Sequence, residues 1–163
     1  EIFNLYRDLH AKAAGRVTRP ESTFDLMYQW VKDGYCFLIG AKRKEEFVGF
    51  SLIIVYKNFA YYGSSCNHPD YPELPISHLI QWYTLMWLHE HGIRFYEIGW
   101  QFYASTPFYC ASEKEKNIAR FKRGFGGFQV PLFIGERYFS EELFLEETEI
   151  RNTEYIRSVW RQP

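Results

Sequence analysis

Between Tyr35 and Gly63 the sequence holds three apolar runs separated by turns too short for anything but antiparallel pairing. Tyr35–Ala41 is the first run and Lys42–Glu45 a charged turn. Phe47–Tyr56 is the second run, Lys57-Asn58 a tight turn, and Phe59–Gly63 the third. Val, Ile, Phe and Tyr dominate all three, and these side chains suit a pleated, half-buried surface, so the segment predicts a β-meander. Leu52–Val55 is apolar without alternation, which predicts cover on both faces of the middle strand. Such a meander needs helices on each side.

The flanks supply them. Residues 2–14 have helical character ending at Gly15. The Ser22-Thr23 pair then precedes Phe24, Met27, Tyr28 and Val31, spaced i, i+3, i+4, i+7, with Gly34 where a helix ends. After Pro69, Pro72 and Pro75, the stripe Ile76, Leu79, Ile80, Tyr83, Trp87 predicts a helix over 76–91, ended by Gly92. Trp82, Leu85 and Met86 extend its apolar character, which predicts burial around most of its circumference. Arg94–Gly99 follows as a strand, and a helix leading into a strand predicts a crossover and parallel pairing. Ser112 and Glu115 form a capping box for a helix that stops at Gly124. Phe128–Phe139 has the pattern of a last strand. The acidic C-terminal stretch is expected to be helical, with Tyr155, Ile156, Val159 and Trp160 on one stripe. This order predicts an α/β fold: a mixed, mostly antiparallel sheet of five or more strands flanked by helices, of the acetyltransferase-like kind.

The 163 residues fit one domain, 1–163, at about 100–200 residues per domain. Aromatic residues make up 20% of the chain, enough for a core and for a cleft wall where rings pack while hydroxyls stay wet. A net charge of −1 creates no whole-molecule field for nucleic acid. Charge is nevertheless segregated. Lys114, Lys116, Arg120, Lys122 and Arg123 dominate one helix, and a run of glutamates fills the C-terminal stretch from Glu141 to Glu154. Cys36, Cys66 and Cys110 lack metal-ligand spacing, so no metal site is expected, and free thiols point to a reducing cytoplasm. No apolar run reaches the roughly 20 residues of a membrane helix. A chain opening at Glu1, without Met, is expected to be a fragment.

The most specific segment is Ile118–Gly127, a basic helix end running into a glycine-rich turn. Within it Phe121-Lys122-Arg123-Gly124-Phe125-Gly126-Gly127 resembles the FK-x-G-F-G-G signature of FemAB and FemX enzymes and their acetyltransferase-like (GNAT) relatives. Tyr96-Glu97-Ile98-Gly99 resembles the glycine-ended strand that precedes the signature. The Leu9-His10 to Arg19-Pro20 stretch and Phe24–Trp30 resemble the helical entry to the family's second acyltransferase-like domain. The resemblance implies the C-terminal half of a two-domain, cytoplasmic enzyme. It also implies transfer of an aminoacyl group from aminoacyl-tRNA to an amine on a nucleotide-linked or lipid-linked cell-wall precursor, without coenzyme A.

Attack of an amine on an ester needs orientation, oxyanion stabilisation and proton movement. Lys122, in a last helical turn that favours cations, is the candidate for the oxyanion or for the phosphates of the acceptor end. Phe121 is a candidate stacking platform for a terminal adenine. Gly124 and Gly126 are expected to let backbone approach substrate through positive φ. Glu97, on the strand after the buried helix, is the candidate general base. Arg16 and Arg19 are candidates for an anionic acceptor. The plainer roles are a surface lysine, a core phenylalanine, a Glu97–Arg94 pair and a surface loop. A coenzyme A enzyme needs backbone donors at a helix N-terminus for the pyrophosphate. Here Gly63–Asp70 lacks the R/Q-x-x-G-x-G/A pattern and prolines follow, which withhold N–H groups. No cofactor is therefore expected. The competing functions are a coenzyme A-dependent N-acyltransferase acting on an amino sugar and a non-catalytic binding module.

Overall fold

The computed structural model describes residues 1–160. They divide into two compact units, Glu1–Gly99 and a second that starts at Trp100. In the first unit α1 (Ile2–Ala14) and α2 (Glu21–Lys32) precede three strands, β1 (Cys36–Arg43), β2 (Glu46–Tyr56) and β3 (Phe59–Asn67), then α3 (Ile76–Glu90) and β4 (Phe95–Glu97). Gly15 ends α1 in the left-handed region, φ 67°, where a side chain would be strained.

The sheet runs β1-β2-β3-β4. β1/β2 and β2/β3 pair antiparallel, and β3/β4 pair parallel through Phe59–Tyr61 and Phe95–Glu97. The predicted crossover is present. Four strands form the sheet, not the five or more expected. Both faces are covered, as the unbroken apolar run in β2 required. Leu52 and Phe50 join Phe3, Tyr6, Leu9, Phe24 and Met27 of α1 and α2. Ile53, one residue on, packs with Ala60 and Leu88 on the α3 face. Val48 and Ala41 meet Ile76 and Ile80 there.

Three expectations need correction. The helix α3 is buried on one face only: Ile76, Ile80, Gln81, Thr84 and Leu88 are covered, whereas Leu79, Trp82, Tyr83 and Met86 are exposed. Apolarity misassigned the face because two polar residues occupy the seam. The third strand does not stop at Gly63 but continues to Asn67. Phe128–Phe139 is not a strand. An extended segment becomes a strand only by pairing, and Pro131 withholds a donor near its start; Phe133 is 92% exposed.

In the second unit α4 (Glu113–Arg123) starts at the predicted capping box, with Glu115 N–H donating to Ser112 Oγ at 3.3 Å and Ser112 N–H to Glu115 Oε2 at 2.8 Å. The acidic stretch is helical, α5 (Glu141–Trp160), with none of its residues buried. Arg151 ties it to Glu136 at 2.7 Å.

The seating of α3 on β2 is testable at Gly49, where an added Cβ would collide with Ile76 Cγ2 and lie 3.3 Å from the Cys66 carbonyl oxygen. Overpacking of this kind costs about 1–3 kcal/mol. Gly49→Ala is expected to lower the urea midpoint accordingly. An unchanged midpoint would show that α3 does not sit on β2 at this distance.

Candidate functional site

Opposite Leu52 of β2 stands Ser64, and opposite Ile53 stands Tyr62, so Gly63 is one extra residue in β3. A bulge of this kind breaks the alternation of side chains. Ala60 and Tyr62 face α3. Ser64, which strict alternation would put on the same face, turns to α1 instead and accepts a hydrogen bond from the Tyr6 hydroxyl at 2.9 Å. Cys66 follows it into the α1 cluster. Parallel pairing with β4 ends at Tyr61 and Glu97. Beyond that pair, the β4 side of Tyr62–Asn67 meets no strand among the described residues. Parallel pairing thus stops just before the bulge, at the C-terminal end of β4, and open α/β sheets hold ligands outside the carboxyl ends of their strands.

A buried polar contact joins α3 to β4 beside this point. Tyr96 of β4 donates its hydroxyl to Gln81 Oε1 of α3 at 2.9 Å. Burial raises the Tyr96 pKa far above the ordinary tyrosine value, so the group stays a neutral donor. Gln81 and Tyr62, the neighbours of Tyr96, were missed in sequence. A Gln between Ile80 and Trp82 within an apolar helix was the available signal.

The approach to α3 tests whether a pyrophosphate fits. Pro69, Pro72 and Pro75 have no N–H to give. The N–H groups of His68, Tyr71, Leu74 and Ile76 already bond the carbonyls of Val48, His68, Tyr71 and Leu74, and Asp70 N–H bonds His68 Nδ1 at 3.3 Å. No side chain caps the helix start. The loop is held further by charge: Lys12 Nζ lies 2.9 Å from His68 Nε2 and 3.2 Å from Asp70 Oδ2, and the Tyr71 hydroxyl donates to Glu46 Oε2 at 2.7 Å. With these five donors engaged in the loop's own fold and three prolines offering none, fewer N–H groups remain for the cradle a pyrophosphate needs, and the loop is a poor fit for coenzyme A in that role.

The sequence candidates fall in separate places. Glu97 is exposed at the fork itself, opposite Tyr61, not buried on a covered strand. Arg16 is exposed on the α1–α2 connection. Arg19 donates to His10 Nε2 at 3.0 Å, which leaves the His10 Nδ1 hydrogen for Thr18 Oγ1 at 3.1 Å. Part of its fork is therefore structural. In the second unit Phe121 meets Phe125 edge-on with ring centroids 5.1 Å apart, and Lys122 is half-buried in the last turn of α4, not a fully exposed lysine. Gly124 is helical, φ −61°, and does not use the positive φ expected of it. Gly126 does, with φ 78°. Arg123, not singled out in sequence, lies 4.3 Å from the Tyr103 ring centroid and donates to Gln101 Oε1 at 3.4 Å and the Phe102 carbonyl at 3.5 Å.

Residues 1–116 match the family model for the acetyltransferase (GNAT) domain. This chain belongs to that family. The matched span contains the whole sheet of this GNAT domain and ends inside α4, before Phe121–Gly127. A comparison with curated proteins finds no match. Among solved structures the domain is similar to a transcriptional regulator from Bacillus halodurans C-125, at 14% identity over 83% of this chain and 94% of that one, TM-score 0.59. It is similar to the ribosomal-protein-alanine N-acetyltransferase from Brucella melitensis biovar Abortus 2308, at 12% identity over 83% and 93%, TM-score 0.58. It is also similar to AAC(6')-Iy in complex with the bisubstrate analog CoA-S-monomethyl-acetylneamine, at 12% identity over 83% and 92%, TM-score 0.57. At these identities the likeness is one of fold. Among the described residues no helix is long and apolar enough to cross a membrane.

The His10 cluster gives a pH test. Burial first, and then the neighbouring Arg19 charge, hold its pKa below the ordinary 6.5. The unfolded chain therefore binds the extra proton below that pH, and stability falls as the pH drops through this range. Urea midpoints are expected to decline from pH 7 to 5 more steeply for the wild type than for His10→Gln. Equal slopes would show that His10 is not held neutral.

Proposed function

We propose that this GNAT domain transfers an aminoacyl group from aminoacyl-tRNA to an amine on a nucleotide-linked or lipid-linked cell-wall precursor, as the C-terminal half of a two-domain FemAB-type enzyme. The observation that carries the choice of donor is the loop before α3, where three prolines have no N–H and five other N–H groups are engaged in the loop's own fold. An acyl donor that depends on a pyrophosphate cradle finds fewer donors there. A donor held by its acceptor-end phosphates and terminal base does not need one. The Phe121–Gly127 string supports the same reading by resemblance.

In this reading the acyl end enters where β3 and β4 part. The acceptor nitrogen attacks the ester carbon with its lone pair. The tetrahedral oxyanion collapses, the carbon–oxygen bond to the tRNA ribose breaks, and the proton lost by the amine goes to the leaving ribose oxygen by way of Glu97. By resemblance alone, Lys122 of the second unit is assigned to the oxyanion or to donor phosphate and Phe121 to base stacking. Gly126, with its positive φ, gives backbone access, and Arg16 with the free part of Arg19 meets the acceptor's anionic groups. A second reading, a coenzyme A-dependent N-acyltransferase acting on an amino sugar, is favoured by the uncapped start of α3.

Calorimetry separates the two. An aminoacylated acceptor-stem minihelix is expected to bind, and acetyl-CoA is expected to give no micromolar binding. Micromolar acetyl-CoA binding would promote the second reading. Lys122→Ala is expected to lower transfer on the order of 100-fold, the cost of one lost oxyanion contact, with partial rescue by Arg. A lysine on phosphate would instead lower the salt slope of donor affinity by about 1. Full activity with an unchanged slope would remove Lys122 from the site.

A further inference from the structure

The cover that α1 and α2 give the sheet reaches Ile54 of β2, which packs half-buried against their cluster. Beyond it the same face is bare. Val55, Ala60, Tyr62 and Tyr96 face α3, so strand alternation turns Tyr56, Phe59, Tyr61 and Phe95 to the opposite side. Tyr56 stands opposite Phe59, and Phe59 opposite Phe95, which sets three rings in a row across β2, β3 and β4. Tyr61 lies one step further along β3. Their exposure runs from 37% at Tyr61 to 65% at Tyr56. The row is fixed at its end, because the Asn58 carbonyl accepts from Arg94 N–H at 2.9 Å and from Phe95 N–H at 3.1 Å.

Leu52, Ile53, Ile54 and Ala60 fill covered positions nearby, whereas the bare positions from Tyr56 to Tyr61 and at Phe95 hold rings alone. Flat π-faces, not apolar bulk, distinguish this surface. Two cations border it. Lys57 Nζ reaches over the Tyr56 ring, 5.1 Å from its centroid, and Arg94 is exposed beside Phe95. Neither makes an ion pair among the described residues. Glu97 lies at the far end, opposite Tyr61. An apolar partner would strip water from both cations without offering a counter-charge, and a second copy of this face would bring like charges together. A single strand of nucleic acid meets both demands, with bases on successive rings and phosphates on the cations. Sheets that present aromatics on neighbouring strands stack two or three bases in this way.

We propose that Tyr56, Phe59, Tyr61 and Phe95 form a stacking platform for single-stranded RNA, with Lys57 and Arg94 on its phosphates. The assignment deepens the aminoacyl-tRNA reading above, on which the choice of RNA rests.

Anisotropy of a labelled, non-aminoacylated single-stranded oligoribonucleotide tests it, with an acceptor-stem minihelix as competitor. The wild type is expected to bind the oligoribonucleotide, and the minihelix to displace it. Tyr56→Leu and Phe95→Leu keep apolar bulk without a π-face, and each is expected to raise Kd at least about fivefold, while Tyr56→Phe keeps wild-type affinity. Lys57→Ala and Arg94→Ala are each expected to lower the salt slope of binding by about 0.7. These positions are exposed, so melting temperatures are expected to stay near wild type. A wild type that does not bind the oligoribonucleotide, Leu variants that bind like the wild type, or a salt slope unmoved by both Ala variants would overturn the platform. So would a wild-type dimer that Tyr56→Leu breaks with no RNA bound. A minihelix that binds every variant as it binds the wild type would sink the platform and leave the aminoacyl-tRNA reading standing. Oligoribonucleotide binding that the minihelix does not compete would keep the platform and remove that reading.

Discussion

At Gly63 two residues of β3 stand against one of β2, and the chain changes face there. Without that extra residue Ser64 would point at α3 and Tyr6 would lose its partner in the α1 cluster. A Cβ at Gly63 would come within 3.2 Å of Ile54 Cδ1 and 3.3 Å of the Leu52 carbonyl. The bulge is therefore tightly seated, and the strand beyond it bends as bulged strands do. Pairing of β3 with β4 stops next to it, and the exposed Glu97 stands at that end.

The same region concentrates polar groups in an apolar interior. Thr84 Oγ1 donates to the Ile80 carbonyl at 2.8 Å, Tyr96 to Gln81, and Tyr6 to Ser64. Each satisfied pair contributes only about 1 kcal/mol net, but leaving either partner alone costs more. The Tyr96–Gln81 and Tyr6–Ser64 pairs, which join a helix to the sheet, therefore act mainly as constraints on how the helices seat. By contrast Cys36 and Cys66, with thiols pushed by burial up to about 11 and about 12, are packing groups with little thiolate at neutral pH.

The meander, both N-terminal helices, the central helix and the parallel return were legible because each rests on a local signal: β-branched runs with short turns, Gly15 and Gly34, and the period of Ile76 and Ile80. The long acidic helix and the Ser112–Glu115 box were legible on the same grounds. The bulge was not, since Gly63-Ser64-Ser65 has the composition of a loop and is a strand only because β2 pairs with it. The buried face of α3 was misassigned because Gln81 and Thr84 are hidden by polarity, while Leu79 and Trp82 are apolar and exposed. Phe128–Phe139 has strand composition and no strand to pair with. Of the candidate site residues, Glu97 was placed next to the split by its strand, although its exposure was not foreseen. Phe121, Lys122, Gly124 and Gly126 rest on a local string whose role no contact in the sheet determines.

The central claim is that the acyl donor enters where β3 leaves β4. Amide hydrogen exchange, followed with and without an aminoacylated acceptor-stem minihelix, tests it most directly. The account predicts slowed exchange along the open part of β3, Gly63–Asn67, with little change at Phe59–Tyr61, where β4 is already paired. Donor binding that leaves Gly63–Asn67 unprotected would contradict it.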